Sequence, residues 1–116
     1  MGAEDSVVAH LCAELTCEVF REVPPEPDRP GEFVTVERTG GDMDRFGDRA
    51  VFAAQAWAET RGAAKRLSQA VADAALRVPD SVEGCFGCSV TSVSNFTDPV
   101  GCTPRYQVVF EIDWQG

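Results

Sequence analysis

The chain has a single histidine, and only ten basic residues stand against nineteen acidic ones. Each scarcity excludes something. A Ser-His-Asp or Cys-His arrangement would have to use His10. That residue falls on a first helix, off its apolar stripe, where an exposed position is expected. Non-specific binding to a phosphate backbone needs clustered Lys and Arg, which this composition does not favour. The net charge of −9 reads either as a solubilising surface or as a surface that repels DNA. No apolar run approaches the roughly 18–20 residues that cross a bilayer. The start, Met1-Gly2-Ala3-Glu4-Asp5, is acidic and unlike a secretory signal. Neither a recognisable nucleophile, a phosphate loop nor a metal cage stands out.

Five cysteines are present: Cys12, Cys17, Cys85, Cys88 and Cys102. An odd number without a secretory signal leads to an expectation of reduced thiols in a cytosolic setting. Cys85-Phe86-Gly87-Cys88 is a C-x-x-C. With Cys102 it offers three zinc ligands, and His10 or Cys12 a fourth. Structural zinc sites usually have two such pairs, and redox pairs open a helix after a strand. The competing reading is that these thiols are small buried apolar groups. Asp42-Met43-Asp44-Arg45-Phe46-Gly47 has acids at positions 1 and 3 of a calcium loop and glycine at 6. The glutamate at position 12 is missing, because Ala53 stands there, so a solvated hairpin loop is expected. No cofactor is expected.

The hydrophobic pattern divides the chain into elements. Asp5 or Ser6 caps a first helix, whose stripe is Val7, Val8, Leu11 and Leu15. The period shortens near Thr16, which predicts a strand from Thr16 to Val23. Pro24 to Gly31 holds four prolines in eight residues and reads as an arm that cannot pair in a central sheet. Strands follow over Glu32–Arg38 and Arg49–Trp57, with a glycine- and aspartate-rich loop from Thr39 to Asp48 between them. Thr60 caps a second helix. Its predicted apolar face is Ala63, Leu67, Ala70, Val71, Ala74 and Val78, and Pro79 is expected to stop it. One strand lies within Cys85–Phe96. Another runs from Pro104 to Trp114, with Tyr106, Val108, Phe110, Ile112 and Trp114 on one face. Asp98-Pro99-Val100-Gly101 turns the chain between them. The order αβββαββ predicts a single α+β domain over residues 1–116, a mostly antiparallel sheet with two helices packed on one face.

The order and spacing of these pieces resemble the tail terminator proteins of long-tailed bacteriophages and prophages. The resemblance is carried by the short first helix and its strand, then Asp28-Arg29-Pro30 and the strand Phe33–Arg38. Arg38-Thr39-Gly40-Gly41 and the acidic loop follow. Next come the strand through Gln55-Ala56-Trp57-Ala58 and the helix opening Arg61-Gly62-Ala63-Ala64. Last are Asp98 and Pro104-Arg105-Tyr106. It spans Ser6 to Trp114, and the cysteines take no part in it.

The resemblance implies a non-enzymatic structural protein that forms a ring, usually hexameric, on the finished tail tube. Such a ring stops tube elongation and offers a surface to head-completion proteins. Its partners would be further copies of itself, the tail tube protein and a head-completion protein. DNA would pass through the lumen without specific binding, and no membrane is involved. The location implied is the virion tail, assembled in the bacterial cytoplasm. Candidate partner or subunit contacts are Gly40, Gly41, Asp42, Asp44, Arg45 and Phe46 in the loop, with Trp57 and Trp114 at strand ends. The tryptophans are read either as sheet cover or as interface anchors. Two alternatives stay open: another head–tail connector or minor capsid component, and a small zinc- or thiol-dependent protein using Cys85, Cys88 and Cys102.

Overall fold

The computed structural model describes the backbone of residues 3–44 and 47–114, and their side chains except at 3, 26, 42–44 and 47–48. Helix α1 (Ala3–Glu14) leads to a short strand β1 (Glu18–Phe20) and a 3-10 turn (Glu26–Asp28). Strands β2 (Phe33–Asp44) and β3 (Gly47–Trp57) precede helices α2 (Arg61–Leu76) and α3 (Val78–Ser81), then strands β4 (Cys85–Asn95) and β5 (Arg105–Trp114). The five strands form one sheet in the order β1-β2-β3-β5-β4. Only β1 and β2 pair in parallel; the other pairs are antiparallel. The architecture is the expected α+β one, with the helices on one face of a mostly antiparallel sheet.

The alternation read from the sequence sets that face. Val34, Val36, Ala50, Phe52, Ala54, Val108, Phe110 and Ile112 are all buried in the core shared with α1 and α2. Phe52 and Phe110 lie opposite each other on β3 and β5 and stack at 5.4 Å. Helix α2 contributes small residues, Ala64, Ser68, Val71, Ala74 and Ala75, so its backbone approaches the sheet closely. Thr60 caps it as expected, accepting from the Ala63 amide at 3.1 Å.

Five expectations are corrected. The first strand is not Thr16–Val23 but only Glu18–Phe20. Beyond it, Arg21 is drawn to Glu4 and Asp5 of α1, and Pro24 and Pro25 lack ladder donors. Residues 39–44 and 47–48 are not a loop: they continue the ladder as a ribbon, with Asp42 paired to Arg49 and Met43 to Asp48, and residues 45–46 lie outside the described residues. The glycines serve a bulge between Arg38 and Gly40, not a loop. At Gly41, φ is +138°, and a Cβ there would press into the Arg49 carbonyl oxygen.

The buried face of α2 is rotated from the expected one. Ala70 is exposed and Ala64 and Ser68 are buried, because Ser68 turns its hydroxyl to the Lys65 carbonyl at 2.6 Å and needs no water. Pro79 does not itself stop α2. The helix closes at Arg77, whose amide bonds to Ala74, and Pro79 sits in the first turn of α3, where its missing N–H costs nothing. Finally, His10 is buried, not exposed. Its Nε2 donates to the Ala74 carbonyl at 2.7 Å, one helical turn from Val7 on the packed side of α1.

Candidate functional surface

The face of the sheet away from the helices has its own apolar cluster at one end. Phe20 of β1 meets Phe33 of β2 edge-on at 5.9 Å. Phe33 stacks on Trp57 of β3 at 5.3 Å. The guanidinium of Arg105 on β5 lies 4.8 Å from the Trp57 ring and 4.6 Å from Phe96, just beyond β4. Arg29, from the proline-rich arm, reaches the same indole at 5.8 Å and anchors to the Pro24 carbonyl at 2.9 Å. Aromatic stacking and cation–π contacts of this kind are favourable beyond simple burial. One side chain from each strand or its end thus joins a column across the whole sheet.

Trp57 is 2 % exposed and donates its indole N–H to the Thr35 hydroxyl at 3.1 Å. Of the two readings of this tryptophan, the geometry favours sheet cover, since its ring is already enclosed by its own chain. Trp114, at the other end of the sheet, is half-buried against the main core. It lies on the row that joins Cys85 and Asp48. The column was not legible in advance as a unit. Its signal was an aromatic or arginine at the end of each strand, spread over the chain from Phe20 to Arg105.

The base of this region is closed by the turn after β4. Asp98 accepts the Val100 amide at 3.0 Å, and its own carbonyl accepts from Cys102. The Val100 amide, with smaller help from Gly101, Arg105 and Arg29, holds the Asp98 carboxyl below its usual pKa. A shallow cleft of about 580 Å³ runs beside the turn, lined by Arg29, Phe33, Glu59 and Cys102 among others.

The cysteines do not come together as a metal set. Cys85 pairs with Trp114 at one end of the sheet, whereas Cys102 is exposed in the turn before β5. The two ends are separated by the length of β5, roughly 30 Å at about 3.3 Å per residue. His10, one proposed fourth ligand, is committed to Ala74. Among the described residues no group of three His, Cys, Asp or Glu side chains is placed to hold a metal. Burial raises the pKa of Cys17 and Cys85. It pushes Cys88 up to about 11, with smaller contributions from Cys85 and Asp113. Thiols of this kind stay protonated near neutrality and are poor nucleophiles.

The ribbon formed by the ends of β2 and β3 carries most of the sequence-based contact residues. Gly40 and Gly41 are exposed on it. Asp42 and Asp44 belong to its backbone, with their side chains outside the described set. Arg45 and Phe46 lie outside the described residues. No described helix is long and apolar enough to cross a membrane.

No protein-family model matches the sequence, and no curated protein matches it. Solved structures do. One is a chain described as "Virion of native gene transfer agent (GTA) particle", which is 20% identical with a TM-score of 0.56. The match covers 98% of this chain and 95% of that one. At that identity the likeness is one of fold, and it extends over nearly the full length of both chains.

Proposed function

We propose that this protein is a non-catalytic structural component of a phage-type particle, and specifically a tail terminator. In this role copies of the chain form a ring, six in number, on the tip of the tail tube. The ring blocks further addition of tube protein and presents the surface on which a head-completion protein docks. The observation that carries the reading is the near-complete fold overlap with a chain of a gene transfer agent virion. The sequence resemblance, which follows the same run of elements, supports the finer assignment to the tail.

The end of the β2/β3 ribbon at which Gly40 and Gly41 are exposed is the proposed contact with tube or head partner, together with Asp42, Asp44, Arg45 and Phe46, which follow in the sequence. Trp114 lies at the same end of the sheet. The acidic balance suits a lumen through which DNA slides without adhering. The separation of Cys85 from Cys102 speaks against the zinc set built from Cys85, Cys88 and Cys102.

The test uses tail tubes polymerised from purified tube protein. Added at equimolar tip concentration, this protein is expected to arrest elongation and to leave a ring of density at one tube end in electron micrographs. Tubes that continue to lengthen with bare tips would refute the tail-terminator assignment.

A further inference from the structure

The sheet has two open edges, and they match. Among the described residues, β1 pairs with β2 only at Phe33, Val34 and Thr35. Among the described residues no strand other than β3 pairs with β2 from Val36 onward. The segment Arg21–Val23 does not pair with it but lines a groove of about 280 Å³ with Thr35, Val36, Glu37, Ala53 and Gln55. At the opposite side of the sheet, β4 is the terminal strand throughout its length.

Two properties of β4 are unusual for a free edge. It has no charged residue from Cys85 to Asn95, in a chain that is 25% charged. It also exposes Phe86 at 64% and Val93 at 44%. Soluble proteins normally protect an edge with charges or proline, because unpaired N–H and C=O groups template a further strand. The bare half of β2 carries both charge signs, in Glu37 and Arg38, so an uncharged strand meets no like-charge opposition there.

Rows across the sheet fix the geometry. Gly87 shares a row with Asp113, Arg49 and Asp42, and Val93 shares one with Val108, Ala54 and Val36. The stretch Gly87–Val93 therefore stands at the height at which β2 is bare. Each stretch carries one bulge, between Val90 and Ser92 on β4 and between Arg38 and Gly40 on β2. Counting directions across the antiparallel pairs, β4 runs opposite to β2. Two copies placed side by side in the same up-down sense bring β4 of one antiparallel to β2 of the next.

We infer that β4 is an assembly edge whose occupant is the open half of β2, Val36–Asp42, in a second copy of this chain. The inference rests on the homo-oligomeric part of the proposed function and specifies its contact. The pairing is heterologous, so each copy gives one edge and receives the other, and repeated rotation closes a ring. A symmetric β4-to-β4 dimer would leave the open half of β2 unpaired.

Proline variants test this, because adjacent residues in a strand direct their N–H groups to opposite sides. Of Ser89→Pro and Val90→Pro, the one that keeps the wild-type circular dichroism blocks the β4 edge. Glu37→Pro and Arg38→Pro serve the same way on β2. Native mass spectrometry then reads the assembly, with the wild-type chain studied up to millimolar concentration. Expected are a wild-type oligomer, monomers for each blocked variant alone, and a one-to-one dimer and nothing larger when the two are mixed.

A β2-blocked variant that dimerises alone would overturn the heterologous pairing. Blocked variants that still form the full wild-type oligomer would overturn the edge assignment and leave a ring standing. A wild-type chain that remains monomeric throughout would overturn direct edge pairing, with the terminator reading then decided separately at tube tips.

Discussion

The hydrogen bond from the Trp57 indole to Thr35 offers a sharp quantitative test of the fold. Thr35→Val preserves the shape of the side chain and removes only the acceptor. Thr35 is 6% exposed and Trp57 2%, so little of the pair is open to a replacing water. The indole N–H then bears its desolvation penalty, about 1–3 kcal/mol. A chain of 116 residues has an unfolding entropy of about 0.24 kcal/mol per kelvin at the usual value per residue, which makes the expected fall in Tm about 4–12 °C. Trp57→Phe strands the Thr35 hydroxyl instead and also empties part of the ring's space, so it costs more.

The double variant, with neither polar group, should be more stable than the sum of the two losses predicts. A coupling of about 1 kcal/mol is expected from the double-mutant cycle. Urea unfolding followed by circular dichroism measures all four proteins. A Thr35→Val loss below about 0.5 kcal/mol, or a cycle with zero coupling, would refute the claim that this pair is sealed from water.

Further perturbations address other elements. Gly41→Ala should cost about 1–3 kcal/mol, because φ +138° is strained for a side chain and the Arg49 carbonyl occupies the space. Gly40→Ala next to it should be nearly neutral in the same denaturant series, since a Cβ there meets open space. Asp98 has a lowered folded-state pKa, so its stabilising effect is present above the unfolded carboxyl's pKa and disappears as pH falls through the folded one. The Tm gap between wild type and Asp98→Ala should accordingly be open at pH 7 and close in strong acid. In native protein at pH 8, exposed Cys12 and Cys102 should be labelled by a maleimide well before Cys17, Cys85 and Cys88, as read by peptide mass spectrometry. Equal rates at all five would contradict the burial of Cys85 and the partial burial of Cys17 and Cys88.

Much of the sheet was readable from the sequence because its strands alternate cleanly. Val108, Phe110 and Ile112 on β5, and Ala50, Phe52, Ala54 and Ala56 on β3, all fall on the buried side. The ribbon was not readable, since glycine and aspartate at 39–48 carry the composition of a loop while a bulge keeps them in the ladder. The α2 face was misjudged by part of a turn. Alanine lies on both sides of that helix, and a serine that satisfies itself within the helix can be buried among apolar groups. His10 was misplaced for a similar reason, because its partner is a backbone carbonyl 64 residues away. Of the candidate contacts, the clustering of the ribbon residues followed from adjacency in sequence. The enclosure of Trp57 depended on Phe33 and Arg105, which only strand pairing brings beside it.

The column of Phe20, Phe33, Trp57, Arg105 and Phe96 also sets an order on how the sheet loosens. It clasps all the strands at one end, whereas the opposite end, with Asp42, Arg49, Asp113 and Gly87 in a row, has no comparable clasp among the described residues. Amide protons of the strand ends joined by the column, around Phe33, Trp57 and Arg105, should accordingly be among the last in the sheet to exchange. The column thus holds the strands in register from the end opposite the proposed contact, so the fold does not depend on a partner being docked.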